Sequence, residues 1–275
     1  MSMILASDIK QHVRNIDYDG ESPDFEPEEK VRRLRTLVLG FVNAGAPIDT
    51  LGALHLRFEL FAPDPENLAF TSACANLTTF DVHFDRRGLI WDLLREADAA
   101  QRQQIEHNLR AFLASLTNLE SLSVIFGSAV LQRSNRGGVP AHHLNDVVPL
   151  DKVWPRLRML QIQDVCLTEK DLMVLLSNHA STLRCFHFRN LALYNRVDEF
   201  DAFGAGALEM QPEWRKGAWR GVFELFDSMK SLRHGDINEY LRKVKDNQEG
   251  WKVRVNDKDV MIKTNLRTWL VDEEE

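Results

Sequence analysis

His55, Asp81 and His83 are the residues whose types and spacing come closest to a chemical site. They belong to LGALHLR (51–57) and LTTFDVH (77–83), and they become neighbours if those two segments stack side by side. Two imidazoles and a carboxylate can hold a transition metal. The same groups can instead form a hydrogen-bonded cross-strand set, with Arg57 on Asp81. The second arrangement is the expected one, so no metal site is assigned. Cys185 and His187 stand at i and i+2 of a strand-like stretch and therefore share a face. A thiol beside an imidazole can form a nucleophilic pair. No third group that would orient the imidazole, and no oxyanion donors, can be read beside it. No catalysis and no cofactor is expected; an enzyme of unrecognised type is the last alternative, and it would require a deep pocket with perturbed titratable groups. His179, at the end of a helical stretch, reads as a capping or buried histidine.

The elements that must position these residues follow from a repeated figure, apolar-x-x-apolar-x-apolar. It occurs at Val13-Ile16-Tyr18, Leu34-Leu37-Leu39, Leu51-Leu54-Leu56, Leu77-Phe80-Val82, Leu119-Leu122-Val124, Leu157-Leu160-Ile162 and Leu183-Phe186-Phe188. A degraded copy has Leu232 and Ile237, with Gly235 in the middle slot. The short separations between copies bracket the roughly 20–29 residue period of leucine-rich repeats, and the long ones leave room for insertions. The last two apolar positions lie two apart, on one face of a short strand, and the first lies in the turn that leads into it. Between strands the period changes to that of a helix. Thr168 caps EKDLMVLLSNHA, with Leu172, Leu175, Leu176 and His179 on one face. Similar helices are predicted at 105–116 and 218–229. Strand, loop, helix and return make a unit that cannot bury its apolar face alone, and stacking such units makes one long core.

This predicts an α/β leucine-rich-repeat solenoid over residues 1–250, with a concave parallel sheet and outer helices. Residues 251–275 would add a C-terminal capping hairpin (WKVRVNDKDVMIK), a helical turn and an acidic tail. The outward strand positions would line the concave face, including Thr36, Val38 and Ala53. The partner-binding set expected there is His55, Arg57, Asp81, His83, Gln161, Gln163, His187, Arg189 and Asp236. That surface is polar and mixed in charge, which suits recognition of a protein or peptide. The alternative architecture, an ordinary α/β domain, would bring Gly-rich loops at strand ends and a ligand crevice. Neither is evident.

Composition narrows the class. With 275 residues, 44% apolar and 27% charged, the chain can bury a continuous core. Its net charge of −7 argues against nucleic acid as the main ligand. Cys74, Cys166 and Cys185 form no CxxC and no even framework, as expected of reduced thiols inside a cell, cytoplasmic or nuclear. No signal peptide and no membrane span is expected. Loops are predicted at 20–29 and 61–66, an inserted helical segment at 85–104, an insertion loop at 127–140 and a packed flap at 194–217, where Trp214 is a candidate anchor for a partner.

The segment WPRLRMLQIQDVCLTEKDLMVLLSNHASTLRCFHFRNLAL (154–193) resembles the repeat region of fungal F-box proteins. In that family a W-P-x-L-x-x-L-x-L strand leads into a capped helix, an LL-x-x-H end and a T-L-R-x-L-x-L strand. The matching positions here are Trp154, Pro155, Leu157, Leu160, Ile162, Leu175, Leu176, His179, Thr182, Leu183 and Arg184. ILASDIKQHVRNIDY (4–18) resembles the stretch that follows the F-box. The resemblance implies the substrate receptor of a cullin-type ubiquitin ligase, with ligase components as partners. Nothing in the chain matches the F-box, so docking on a Skp-type adaptor is not carried over. The chain is then either a fragment or a free-standing repeat protein.

Overall fold

The computed structural model describes residues 14–19, 27–84, 99–126, 142–194, 220–238, 251–255 and 258–263. Ten strands form one open sheet: β1 (Asn15–Asp19), β2 (Thr50–Leu56), β3 (Thr79–Phe84), β4 (Ser121–Ile125), β5 (His142–His143), β6 (Met159–Thr168), β7 (Cys185–Tyr194), β8 (His234–Asn238), β9 (Trp251–Val255) and β10 (Lys258–Lys263). The helices are α1 (Pro27–Asn43), α2 (Pro65–Ala73), α3 (Ala99–Ser115), the short α4 (Leu144–Val147), α5 (Glu169–Asn178) and α6 (Arg220–Ser228), with a 3₁₀ turn at Phe58–Phe61.

Strand order is β1-β2-β3-β4-β6-β7-β8-β10-β9, with β5 on β6. Every pairing is parallel except β9 with β10. The order does not reverse between β1 and β8. Right-handed crossovers that always advance in one direction put their helices on one face of a sheet. The predicted hairpin is present as β9 and β10, and β10 extends the sheet beyond β8.

The register explains the repeated figure. Ile16, Leu51, Phe80, Leu122, Leu160, Phe186 and Gly235 form one row across the sheet. Ala53, Val82, Val124, Ile162 and Phe188 form the next. All are buried, in one core with Leu109, Phe112 and Leu113 of α3, Leu172, Leu175 and Leu176 of α5, and Phe226 of α6. Each valine, leucine, isoleucine or phenylalanine among them contributes about 1.5–3 kcal/mol by leaving water. Gly235 fits because the Phe186 ring, stacked on Phe226 at 4.5 Å, lies over its Cα.

A backbone ladder fixes the amino-terminal edge of the sheet. The carbonyl of Arg14 accepts from the N–H groups of Asp49 and Thr50, and that of Asp49 from Thr78 and Thr79. Thr78, Glu120, Arg158 and Arg184 repeat the device toward β4, β6, β7 and β8, at 2.7–3.1 Å. The cap of α5 is as predicted: Thr168 Oγ1 accepts from the Asp171 N–H, and Asp171 accepts in return from the Thr168 N–H, both at 3.1 Å. His179 ends that helix fully buried, stacked on Trp154 with ring centroids 5.3 Å apart.

Two copies of the figure are corrected. Leu34-Leu37-Leu39 lies inside α1, because the i, i+3 spacing of the figure is also that of a helix. Val31, Leu34 and Val38 form the buried stripe, so Val38 is core and Thr36 is exposed on the helix. In β2 the true figure is Ile48-Leu51-Ala53, three residues earlier than read. Leu54 and His55 together oppose His83, which makes a bulge, and His55 has φ 55°. Ala53 is therefore buried and Leu54 is 49% exposed. The expected insertion at 85–104 is helical from Ala99. The rest of that stretch, the 127–140 loop, all of 194–217 beyond Tyr194 including Trp214, and the tail after 263 lie outside the described residues. No helix among the described residues is long and apolar enough to cross a membrane.

Candidate functional site

The sheet face opposite the helices is the candidate site. Its rows run between the buried ones. Asp17, Gly52, Asp81, Ser123, Gln161, His187 and Asp236 occupy one row. His83, Ile125, Gln163 and Arg189 occupy the next. Asp17, Asp81, Arg189 and His234 are exposed, and His83, Gln161, Gln163 and His187 are half-buried. Strand alternation therefore aims these side chains away from the core, as their spacing predicts.

Charge is mixed along the face. Asp17 and Asp81 flank Gly52 on the β1–β3 side. A Cβ at Gly52 would meet the Asp17 carboxylate at 3.1 Å, so a larger residue there would crowd it. On the β7–β8 side, His187 and His234 approach with ring centroids 5.4 Å apart, next to Arg189, and Asp236 pairs in register with His187. Met159 and Ile125 lie half-buried between these two sides, with Cys185 beside Met159.

The structure brings His55 and His83 together, with ring centroids 5.7 Å apart, and puts Asp81 two positions before His83 on β3. Among the described residues, no three His, Cys, Asp or Glu side chains converge as a metal site would require. Arg57 leaves the set. The bulge turns it into the core, where it is 7% exposed and pairs with Glu59 at 3.3 Å. Leu54 takes its place on the open face, where it is 49% exposed.

A second polar group went unread in the sequence. At the carboxyl edge of the sheet, His142 Nδ1 lies 2.8 Å from Glu106 Oε1 on α3, with both side chains buried. The imidazole leans on Phe58 and Phe126, at centroid distances of 4.7 and 5.6 Å. Nearby on β6, Asp164 is 1% exposed with φ 64°, and accepts from Gln163 Nε2 at 3.0 Å. The His142–Glu106 partners are far apart in the chain, so only the fold reveals them.

Among the described residues, three groups have displaced pKa values. Arg33 and Arg32 hold the Glu29 carboxyl on α1 below its usual range. Burial pushes the Cys74 thiol up to about 12 and the His179 imidazole down to about 4, while the nearby Trp154 backbone pulls His179 weakly the other way. None of the three is on the open face. Compared with protein-family models, with curated proteins and with solved structures, the chain matches none.

Proposed function

We propose that this chain is a non-catalytic recognition scaffold of leucine-rich-repeat type, which holds a protein partner against its open, concave sheet face inside the cell. The observation that carries the reading is the polar open face: several strands in one register, with Asp17 and Asp81 on β1 and β3, Gln161, Gln163, His187 and Arg189 on β6 and β7, and Leu54 exposed beside the His55–His83 pair. A mixed polar pattern of this kind sets register and penalises reversed docking. The strand–capped helix–strand unit from Trp154 to Leu193 supports a second reading, the substrate-binding part of a cullin-type ubiquitin ligase receptor.

The test is capture of partners from a fungal lysate by the intact chain, set against the charge-reversed variants Asp81→Lys and Arg189→Glu. Partners released by both variants but not by Arg32→Glu on α1 support the open face. Partners indifferent to both variants would overturn it. Recovery of a Skp-type adaptor and a cullin would promote the ligase reading.

A further inference from the structure

The amino-terminal edge of the sheet writes one turn three times. Pro155-Arg156-Leu157-Arg158, Ser181-Thr182-Leu183-Arg184 and Lys230-Ser231-Leu232-Arg233 lead into β6, β7 and β8 at equivalent positions. Each leucine is buried and anchors its turn. Each final arginine stands one residue before its strand, where the carbonyl ladder fixes the backbone. Arg158, Arg184 and Arg233 therefore form a row, with neighbouring backbones about 4.8 Å apart.

These three arginines, with Arg156 and Lys230, are exposed and line one cleft of about 320 Å³. Among the described residues no carboxylate lines it. Glu120 approaches Arg158 from the β4 side at 3.8 Å, and among the described residues the other four cations have no acidic partner. Elsewhere along the same edge opposite charges meet, as Arg14 and Asp49 do at 3.1 Å. Like charges set side by side repel. Five of them gathered in a chain of net charge −7 make a site for an anion.

Two of the three hydroxyls in the cleft are committed: the Ser231 O–H is shared between the carbonyls of Ala180 and Leu183, both 2.8 Å from its Oγ, and Thr182 Oγ1 donates to that of His179 at 3.4 Å. Ser181 remains as an exposed hydroxyl at the rim. Recognition falls mainly to the guanidinium and ammonium groups, and the guanidinium fork matches phosphate oxygens in pairs. Among the described residues no aromatic ring lines the cleft, so none offers a stacking surface for a nucleobase. Pro155 is the one apolar lining residue among them, so they form no pocket for the neighbours of a phosphorylated side chain. Three strands span about 10 Å, the reach of two or three linked phosphates.

We propose that this cleft binds a compact small molecule carrying two or more linked phosphates. The inference stands apart from the open-face reading, because it uses a different edge of the sheet. The experiment is calorimetric titration of the intact chain with tripolyphosphate at low and physiological salt. The expected result is one site per chain, weakened by salt. Affinity should fall about ten-fold or more in Arg184→Gln/Arg233→Gln and in Ser181→Glu, and stay unchanged in Arg32→Gln/Arg33→Gln on α1. Ser181 is exposed, so its variant decides the matter if the arginine pair does not fold. No binding, or an equal loss in the α1 control, would overturn the site. A doubly phosphorylated peptide that bound the same residues more tightly than tripolyphosphate would overturn the small-molecule assignment.

Discussion

Gly235→Ala tests whether the Phe186 ring fills the place that the repeated figure leaves empty on β8. A Cβ built on Gly235 would stand 2.2, 2.5 and 2.9 Å from three carbons of that ring. Carbon atoms in contact sit about 3.5–4.0 Å apart. The ring would have to move by roughly 1.3 Å. It is fully buried, stacked on Phe226 at 4.5 Å and Phe188 at 4.9 Å, so it has nowhere to go without disturbing both. Overfilling of this kind costs about 1–3 kcal/mol. The opposing gain, a stiffer unfolded chain, is only about 0.4–1 kcal/mol. Gly235 does not have positive φ, so alanine can adopt its backbone and the clash alone decides the sign. Urea titration followed by circular dichroism should show a net loss of about 1–2 kcal/mol with an unchanged slope. Phe186→Leu should relieve most of that loss when combined with Gly235→Ala, giving a coupling of about 1 kcal/mol or more. A neutral Gly235→Ala, or strict additivity in the double variant, would refute the stacking of Phe186 over β8.

Thr168→Ala should cost about 1 kcal/mol by removing the cap of α5, and Thr168→Ser should restore most of it in the same urea assay. Either Glu106→Ala or His142→Ala alone should cost about 1–3 kcal/mol, because each removes a buried hydrogen bond between the two side chains. The apolar pair Glu106→Leu/His142→Phe should cost less than either. Of the three cysteines, half-buried Cys185 should react with a thiol reagent in the native chain, while Cys74 and Cys166 should react only on unfolding. The unfolded chain takes up the His179 proton near pH 6.5 and the folded chain only near 4, so stability should be complete above pH 6.5 and fall by about 3 kcal/mol as pH drops toward 4. That loss should be absent in His179→Phe, which keeps a ring against Trp154.

The parts of the fold legible in the sequence are those where a slot of the figure is filled by a large apolar residue. The copies at 77, 119, 157 and 183 are such cases, and all four are strands in one register. Reading failed where another element satisfies the same spacing. Leu34 and Leu37 fit a helix as well as a strand turn, and the Val31-Leu34-Val38 stripe decides for the helix. It failed again where the slot holds a small residue. Ala53 is the true last position in β2, and the more conspicuous Leu54 and Leu56 drew the frame three residues too far. The bulge at His55 then sends Arg57 into the core. The Glu106–His142 pair was not legible at all, because periodicity says nothing about which distant polar side chains meet.

The two candidate surfaces share one physical origin. A sheet whose strands advance in a single direction gathers its helices on one face, so the other face keeps whatever side chains alternation sends there. Asp81, Gln161, His187 and Arg189 would each be costly to bury without a partner, and among the described residues no helix packs over them. The same advance aligns the turns that lead into successive strands. A residue type repeated at one turn position therefore becomes a row in space, and at Arg158, Arg184 and Arg233 that row is cationic. Neither surface contributes apolar burial to the core. The fold would tolerate other polar residues at both, so substitutions there can test binding without first costing the core.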